Sequence, residues 1–338
     1  MIVIDGSKGE GGGQVLRTAL SLSACTGQPF KIRNIRGGRK KPGLLRQHLT
    51  CIKATAEICG GKVTGAELGS GEVTFIPGDI RYGDYRFDIG TAGSTGLVFQ
   101  TVLPILLQAD RPSSVRFGGG THNKASPPFE FIAETFLPVI RKMGADIKAD
   151  LLLRGFYPAG GGIWEVFIQP LEEPTAVTLT DRGALRSITA EAATANLPGS
   201  IAERELETVA KEMDLPETNL HQRNYESCGP GNIVLLRVAS EQHTEVFAGF
   251  GEHGVSAERV ARRATNATRE YLKSDACISE HLADQLLLPL ASFANGRFTT
   301  TNISQHFLTN KDVIEQFLDL EIAVNPEHQG LHEIEILR

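Results

Sequence analysis

The histidine of Ser304–Asn310 (SQHFLTN) is the side chain best suited to covalent chemistry. This segment is typical of a polar loop that leads into a helix capped near Thr309 or Asn310. A neutral imidazole can attack phosphorus, and the reference pKa of histidine, about 6.5, leaves much of the ring neutral at cytoplasmic pH. His306 is therefore the candidate nucleophile. The alternative, which is commoner for a loop histidine, is a hydrogen-bonding role without chemistry.

Two other loops carry groups that bind polyphosphates. The first is RGGRKKP, from Arg36 to Pro42, which with Arg46 forms a basic patch; the second is GGGTHNKASPP, from Gly118 to Pro128. Each precedes a predicted helix, and free backbone N–H groups and the helix dipole favour anions at such places. A solvated basic surface is the alternative for the first loop. We expect both loops to lie close to the loop of His306.

A third glycine-rich turn, GEGGGQ, runs from Gly9 to Gln14 and opens a helix. It departs from the dinucleotide-binding GxGxxG pattern at Gln14, and the P-loop pattern is absent because Val63 follows Gly61-Lys62. Any nucleotide is therefore bound outside these two frameworks. Glu10 could hold Mg²⁺ through a carboxylate oxygen. Alternatively, it is an acid that suits the dipole of a helix's first turn.

The elements that position these loops are repeated along the chain. QTVLP at Gln100–Pro104 recurs as QLLLP at Gln285–Pro289, each in an apolar helical segment followed by a strand, a loop and a second helix. The second helix is predicted to start near Pro128 in the middle copy and near Asn310 in the last. The N-terminal segment has the same layout, with a helix over 15–24, a strand over 30–35 and a helix over 42–59.

Aligned at Arg17, Gln100 and Gln285, the three copies are 83 and 185 residues apart, so about 100 residues are inserted before the last. The insertion is predicted to contain strands over 188–196, near Leu220, over 233–239 and over 244–250, and helices over 201–213 and 256–272. The predicted fold is α+β: three repeated βαβαββ-like modules form a catalytic core, residues 1–181 and 276–338. A small α/β domain, residues 182–275, is inserted.

Composition limits the function classes. The hydrophobic and charged fractions, 41% and 22%, are those of a soluble globular protein, no apolar run reaches about 18 residues, and the N-terminus lacks the pattern of a signal peptide. We therefore expect a cytoplasmic protein without a membrane partner. A net charge of −6 argues against coating nucleic acid by bulk electrostatics. The five cysteines contain no CxxC pair and indicate reduced thiols.

Six motifs in order give the chain a family resemblance: GEGGGQ, GRKKPGLLRQHL, the segment from Gly90 to Gln100, RGFYPAGGG at 154–162, HLADQ at 281–285 and QHFLTN at 305–310. Together they resemble the RNA 3′-terminal phosphate cyclases, whose core is more distantly similar to that of enolpyruvyl transferases. The resemblance implies that ATP adenylates a histidine matching His306 and releases diphosphate. AMP then passes to an RNA 3′-phosphate. The 2′-hydroxyl attacks this phosphate, AMP departs, and a 2′,3′-cyclic phosphate forms.

The resemblance also implies residue roles. Those matching ATP-binding positions are Gln100, Pro128, His281, Leu282, Ala283, Asp284 and Gln285, with Pro128 packing on adenine. Glu10 matches a ligand of Mg²⁺ or Mn²⁺. Those matching phosphate- or RNA-binding motifs are Arg17, Arg36, Arg39, Gln47 and His48. His281 stands where a tyrosine is expected to stack on the base, so we expect an altered ATP affinity or nucleotide preference.

The resemblance leaves other functions to be weighed. The family includes non-catalytic ribosome-assembly proteins that lack the nucleophile, and the presence of His306 favours the enzyme. Enolpyruvyl transfer shares only the resemblance of fold, which does not imply function. No obligate protein partner is expected. We interpret RGFYPAGGG as a structural turn, since it lies away in sequence from the three loops expected to converge, which are 36–42, 118–128 and 304–310.

Overall fold

The computed structural model describes residues 1–337 of the 338-residue chain as a mixed α/β fold with four-stranded mixed sheets. The first sheet has the order β1-β2-β4-β3. Its strands are β1 (Ile2–Asp5), β2 (Phe30–Arg33), β3 (Lys62–Thr64) and β4 (Val73–Ile76). Helix α1 (Gln14–Thr26) connects β1 to β2, and helix α2 (Arg46–Cys59) follows β2. Because β1 and β2 are parallel, this crossover helix is required between them.

The second sheet has the order β5-β6-β8-β7. Its strands are β5 (Asp84–Asp88), β6 (Ser113–Gly119), β7 (Ile147–Leu153) and β8 (Gly162–Ile168). Helix α3 (Thr95–Leu107) connects the parallel strands β5 and β6. The second helical segment follows Pro128, as predicted, and consists of α4 (Phe129–Phe131), a π-helical stretch (Ile132–Phe136) and α5 (Leu137–Lys142).

After β9 (Val177–Leu179) the chain builds a sheet of order β11-β10-β12-β13 and then returns. The elements of that sheet are β10 (Leu185–Ala195), α6 (Ser200–Met213), β11 (Leu220–Asn224), β12 (Gly231–Ser240), β13 (Thr244–Phe250) and α7 (Ala257–Lys273). The returning elements are α8 (Glu280–Phe293), β14 (Gly296–Thr300), α9 (Gln305–Phe317), β15 (Glu321–Pro326) and β16 (His332–Leu337). They complete a sheet of order β15-β16-β14-β9.

The sheet containing β12 packs on both faces. Alternate residues of β12 point to opposite sides, so Ile233 and Leu235 join the main hydrophobic core while Val234 and Leu236 pack with α6 and α7. All four side chains are fully buried, and burying a branched apolar side chain contributes about 1.5–3 kcal/mol. The segment therefore shares a continuous core with the rest of the chain. Within residues 1–337, no helix is both long and apolar enough to cross a bilayer.

Two helices begin at residues that differ from the sequence predictions. Helix α2 begins at Arg46 rather than near Pro42, because Gly43 has φ +84° and Leu45 is extended. Helix α9 begins at Gln305 rather than near Asn310, because the Ser304 hydroxyl caps it by accepting from the backbone N–H of Phe307 at 3.0 Å. His306 consequently lies in the first turn of α9 and not in a loop.

Candidate active site

A cavity of about 570 Å³ lies where α1, α3, α8 and α9 meet the 118–128 loop. Eight of the predicted site residues line it: Arg17, Arg39, Gln100, Pro128, His281, Asp284, Gln285 and His306. Each of the three predicted loop regions contributes, through Arg39, Pro128 and His306. The structure therefore brings the three regions together, as the sequence predicts.

A further wall of the cavity comes from β13 and α7. Residues 246–250 and Arg263 line it. Lys124 of the 118–128 loop donates to the Glu252 carboxylate at 2.9 Å, and Arg263 forms an ion pair with the same carboxylate. These contacts connect the β13 wall to the loop that carries Pro128.

His306 is about half exposed and is held by one hydrogen-bonded contact. Its Nδ1 lies 2.7 Å from Oε1 of Gln14, the first residue of α1, and its Nε2 lies 3.8 Å from Oε1 of Glu10. Burial lowers the pKa of His306, Arg17 and Arg39 lower it further, and Asp284 opposes them. The ring is therefore neutral at neutral pH, which is the form that can act as a nucleophile.

Asp284 and Gln14 form the layer behind His306. Gln14 is almost fully buried, and its Nε2 donates to Oδ1 of Asp284 at 2.6 Å. Asn310 Nδ2 approaches the same oxygen at 3.4 Å and the Asp284 carbonyl at 2.9 Å. Burial raises the pKa of Asp284, while the Gln14 hydrogen bond and the charges of His306 and Arg17 oppose that shift. Asp284 is thus bonded to protein groups, although it also borders the cavity.

Glu10 lies before α1, in the glycine turn, and not in the first turn of the helix. Its backbone N–H donates to the Thr309 hydroxyl of α9 at 2.9 Å, and its carboxylate forms an ion pair with Arg39. Both carboxylate oxygens are buried; Oε1 is paired with Arg39, and Oε2 has no hydrogen-bond partner. They suit a divalent cation, since Mg²⁺ commonly uses one or two carboxylates and takes its other ligands from phosphates and water. Among residues 1–337, no group of three or more His, Cys, Asp or Glu side chains could hold a metal by itself.

Arg17 and Arg39 line the cavity, whereas Arg36 does not. Burial lowers the pKa of Arg17, but a guanidinium remains charged in a protein. Arg36 Nη1 donates to the carbonyls of Lys41 and Gly43, at 2.6 and 3.0 Å. Arg36 therefore shapes the basic loop from behind, while Arg39 of the same loop reaches the cavity.

Gln47 and His48 also lie behind the cavity. Gln47 Oε1 accepts from the backbone N–H of Ser94 at 2.8 Å, which connects α2 to the N-cap of α3. His48 Nδ1 accepts from the backbone N–H of Leu45 at 3.1 Å and so caps α2. Burial lowers the pKa of His48 to about 3, with Arg17 and Arg36 contributing, so this histidine is neutral.

The residues that match ATP-binding positions divide into those that line the cavity and those that are buried in the core. Gln100 of α3 donates to the side chain of Gln285 on α8, and Gln285 Nε2 donates to the His281 carbonyl at 3.0 Å. These three residues border the cavity with Pro128. Leu282 and Ala283 are fully buried in the core, so the cavity is not lined by their side chains.

Comparison with known proteins identifies the family. The model of the family described as RNA 3′-terminal phosphate cyclase matches residues 8–324. This chain belongs to the RNA 3′-terminal phosphate cyclase family. Proteins named RNA 3′-terminal phosphate cyclase are 51% identical in Koribacter versatilis, over 97% of this chain and 92% of the relative, and 49% identical in Salmonella enteritidis PT4, over 98% and 97%. One from Ectopseudomonas mendocina is 48% identical, over 99% and 98%.

Among solved structures, the enolpyruvyl transferase NikO from Streptomyces tendae is 14% identical to this cyclase-family chain. The match covers 49% of this chain and 33% of NikO with a TM-score of 0.26, which carries no argument about the fold.

In this member of the cyclase family, RGFYPAGGG supports the 118–128 loop from behind. The Gly155 carbonyl accepts from the backbone N–H groups of Thr121 and His122, at 2.9 and 3.1 Å, and Gly155 N–H donates to the Thr121 hydroxyl at 2.9 Å. A Cβ at Gly155 would lie 2.3 Å from the backbone nitrogen of Gly162, so only glycine fits. The motif is a structural turn, but it packs directly against one of the three loops.

The sequence prediction for this cyclase-family chain gave no individual role in the site to Gln14, Thr309 or Lys124, although Lys124 lies in the predicted 118–128 loop. Gln14 and Thr309 lie within motifs that were recognised, but their spacing gave no sign of a contact between α1 and α9. The signal that could have found Gln14 is an amide side chain directly after a glycine turn, at a helix start.

Proposed function

We propose that this protein converts an RNA 3′-phosphate to a 2′,3′-cyclic phosphate at the expense of ATP. A nitrogen of His306 attacks the α-phosphorus of ATP, and diphosphate leaves. An oxygen of the RNA 3′-phosphate then attacks the histidine-bound AMP and releases His306. Finally the 2′-oxygen attacks the 3′-phosphorus, its proton is released, and AMP departs. The last step is favoured because the ribose already holds the 2′-oxygen beside the activated phosphate.

The observation that carries this proposal is the setting of His306. A neutral, half-exposed imidazole borders a cavity lined by Arg17 and Arg39, and Oε1 of the buried Glu10 carboxylate lies 3.8 Å from its Nε2. Charge on the transferred phosphate must be neutralised for a nucleophile to approach, and positioned guanidinium groups and a metal ion do this. A divalent metal bound by Glu10 would supply additional neutralisation.

We assign the nucleotide to the side of the cavity formed by Gln100, Gln285, Pro128 and His281. Gln100 and Gln285 provide amide groups, Pro128 an apolar surface for adenine, and His281 a ring that can stack in place of a tyrosine. Asp284 contributes through its contact with Gln14, and Leu282 and Ala283 through the packing that holds α8. In the same proposal, Arg36, Gln47 and His48 shape the phosphate side from behind Arg17 and Arg39.

We also propose the domain organisation predicted from the sequence: a repeat-built core of residues 1–181 and 276–338, an inserted domain of residues 182–275, and a cytoplasmic location. The strand orders support the repeats. In the sheets containing β2, β6 and β14, a parallel pair is followed by two antiparallel neighbours in the same order along the chain.

The test is incubation with α-labelled ATP and Mg²⁺ or Mn²⁺. Acid-labile protein label on the wild type but not on His306→Ala is expected, followed by transfer to an RNA ending in a 3′-phosphate. Absence of label on the wild type would refute the proposal. Tight RNA binding without label or end modification would instead indicate a non-catalytic scaffold.

A further inference from the structure

Gln14 lies between Asp284 and His306. Only 7% of Gln14 is exposed, and its amide contacts Asp284 Oδ1 at 2.6 Å on one side and His306 Nδ1 at 2.7 Å on the other. The three residues come from α1, α8 and α9, so the contact joins three separate helices. Gln14 is a neutral side chain that takes no part in the reaction steps above.

The surroundings of Gln14 fix the orientation of its amide. Oδ1 of Asp284 receives the Gln14 amide and lies 3.4 Å from the Asn310 amide, whose own oxygen accepts from the Thr18 hydroxyl at 2.7 Å. The Asp284 backbone carbonyl can only accept and lies 2.9 Å from the Asn310 amide nitrogen, so the Asn310 NH₂ group faces Asp284 and Oδ1 acts as an acceptor there. The NH₂ group of Gln14 must therefore face Asp284, which leaves Oε1 facing His306.

An amide oxygen can only accept, so the nitrogen of His306 that faces it must carry the proton. In a neutral ring with Nδ1 protonated, the lone pair lies on Nε2, the nitrogen near Glu10. We infer that Gln14, oriented by Asp284, is a positioning residue that selects the Nδ1–H tautomer of His306 and so presents the Nε2 lone pair to the nucleotide. This inference rests on the proposed function, because it assigns the attacking atom of that reaction.

The same contact serves the covalent intermediate. The Nε2 lone pair forms a bond to the α-phosphorus, the bond from phosphorus to the diphosphate oxygen breaks, and the diphosphate takes that electron pair. Since Nδ1 keeps its proton, the adenylated ring carries a positive charge, and its N–H donates a charge-assisted hydrogen bond to Gln14. Asp284 behind the amide stabilises that charge, as the buried carboxylate of a serine-protease triad does for its histidine.

The tautomer can be measured without activity. In protein labelled with ¹⁵N-histidine, two-bond ¹H–¹⁵N correlations distinguish the two ring forms, and comparison with His306→Asn assigns the signals of His306. We expect the Nδ1–H form in the wild type and in the exposed-glutamine control Gln108→Leu. In Gln14→Leu no acceptor faces Nδ1, so the Nε2–H form favoured by free imidazole should appear. An Nδ1–H ring in Gln14→Leu would overturn the inference.

Kinetics give the second readout. In a single turnover at saturating ATP, Gln14→Leu should adenylate about 100-fold or more slowly, as expected for a wrong tautomer, while its affinity for α,β-methylene-ATP changes less than about threefold. The double variant Gln14→Glu with Asp284→Asn keeps an acceptor against Nδ1 and the same net charge. It should retain the Nδ1–H form and adenylate within about tenfold of the wild type.

The outcomes distinguish failure of the positioning role of Gln14 from failure of the proposed function. If the double variant folds but is as slow as Gln14→Leu, or if Gln14→Leu adenylates at the wild-type rate, the positioning role is refuted. If the wild type itself takes no label, the proposed function fails, and the tautomer measurement still decides whether Gln14 controls the ring.

Discussion

Replacing Gly9 with alanine tests the contact between the glycine turn and α9. Gly9 has φ +61°, and a Cβ there would lie 2.2 Å from the Thr309 hydroxyl, the group that accepts from the Glu10 backbone N–H. The added methyl group must therefore displace that hydroxyl. We expect Gly9→Ala to break the hydrogen bond and to move Glu10 relative to His306.

The expected cost has two parts. An alanine in the left-handed region costs about 1–2 kcal/mol, and loss of the hydrogen bond to Glu10 costs about 0.5–1.5 kcal/mol. Gly27→Ala is the matched control, because Gly27 has φ +70° and nothing within 4 Å of a built Cβ. Gly9→Ala should therefore destabilise the protein by about 1.5–3.5 kcal/mol, against about 1–2 kcal/mol for the control.

Urea unfolding of a double-mutant cycle measures the second part. In the Thr309→Ala background the hydroxyl is already absent, so Gly9→Ala should cost only the backbone strain, giving a coupling of about 1 kcal/mol. Adenylation by Gly9→Ala should also need more Mg²⁺ than adenylation by Gly27→Ala. Additive costs within about 0.5 kcal/mol, or an unchanged metal requirement, would refute the reasoning.

Three other predictions follow from charge and burial. The adenylation rate should rise with pH as His306 loses its proton and level off by about pH 7, because the pKa of His306 is lowered below 6.5. Arg39→Gln removes a positive charge that lowers this pKa, so the rise should move to higher pH. A pH profile that does not move in Arg39→Gln would contradict this assignment. Arg17→Leu should slow single-turnover adenylation by about 10- to 150-fold, the value of a charged hydrogen bond, with Arg17→Lys intermediate; a wild-type rate would exclude a phosphate contact. Burial raises the pKa of Glu205 from 4.5 to about 7, so its protonated form stabilises the fold at low pH, and stability is lost as pH rises from 4.5 to 7. Urea unfolding should show about 3 kcal/mol of this loss in the wild type that is absent in Glu205→Gln; equal pH dependence would contradict it.

The sequence predicts regular elements well where apolar periodicity is strong. The helix predicted over 201–213 is Ser200–Met213, and the strand predicted over 244–250 is Thr244–Phe250. The starts of α2 and α9 were wrong for one physical reason. Each is fixed by a side-chain cap, from His48 and Ser304, and a cap depends on the conformation of the preceding residues more than on apolar periodicity.

The candidate site could be predicted as a set of motifs but not as a set of contacts. Motif matching selected Arg17, Arg39 and His306, which line one cavity. It did not distinguish them from Arg36, whose guanidinium binds backbone carbonyls of its own loop. That difference depends on which way a long side chain turns, and residue type and spacing carry no information about it.

The order of GEGGGQ has a physical reason in the contacts with α9. Gly9 leaves space for the Thr309 side chain, and the Thr309 hydroxyl accepts from the backbone N–H of Glu10. Gln14 contacts His306, which lies one turn before Thr309 on α9. Thr309 and His306 are three residues apart on α9, so they lie on one face of the helix. Both therefore contact the same segment, from Gly9 to Gln14. These contacts fix the position of Glu10, the proposed metal ligand, relative to His306, the proposed nucleophile. In a protein that kept the fold but lost His306, Gln14 would still donate to Asp284 but would have no ring to orient, so we expect its effect on adenylation to require the histidine.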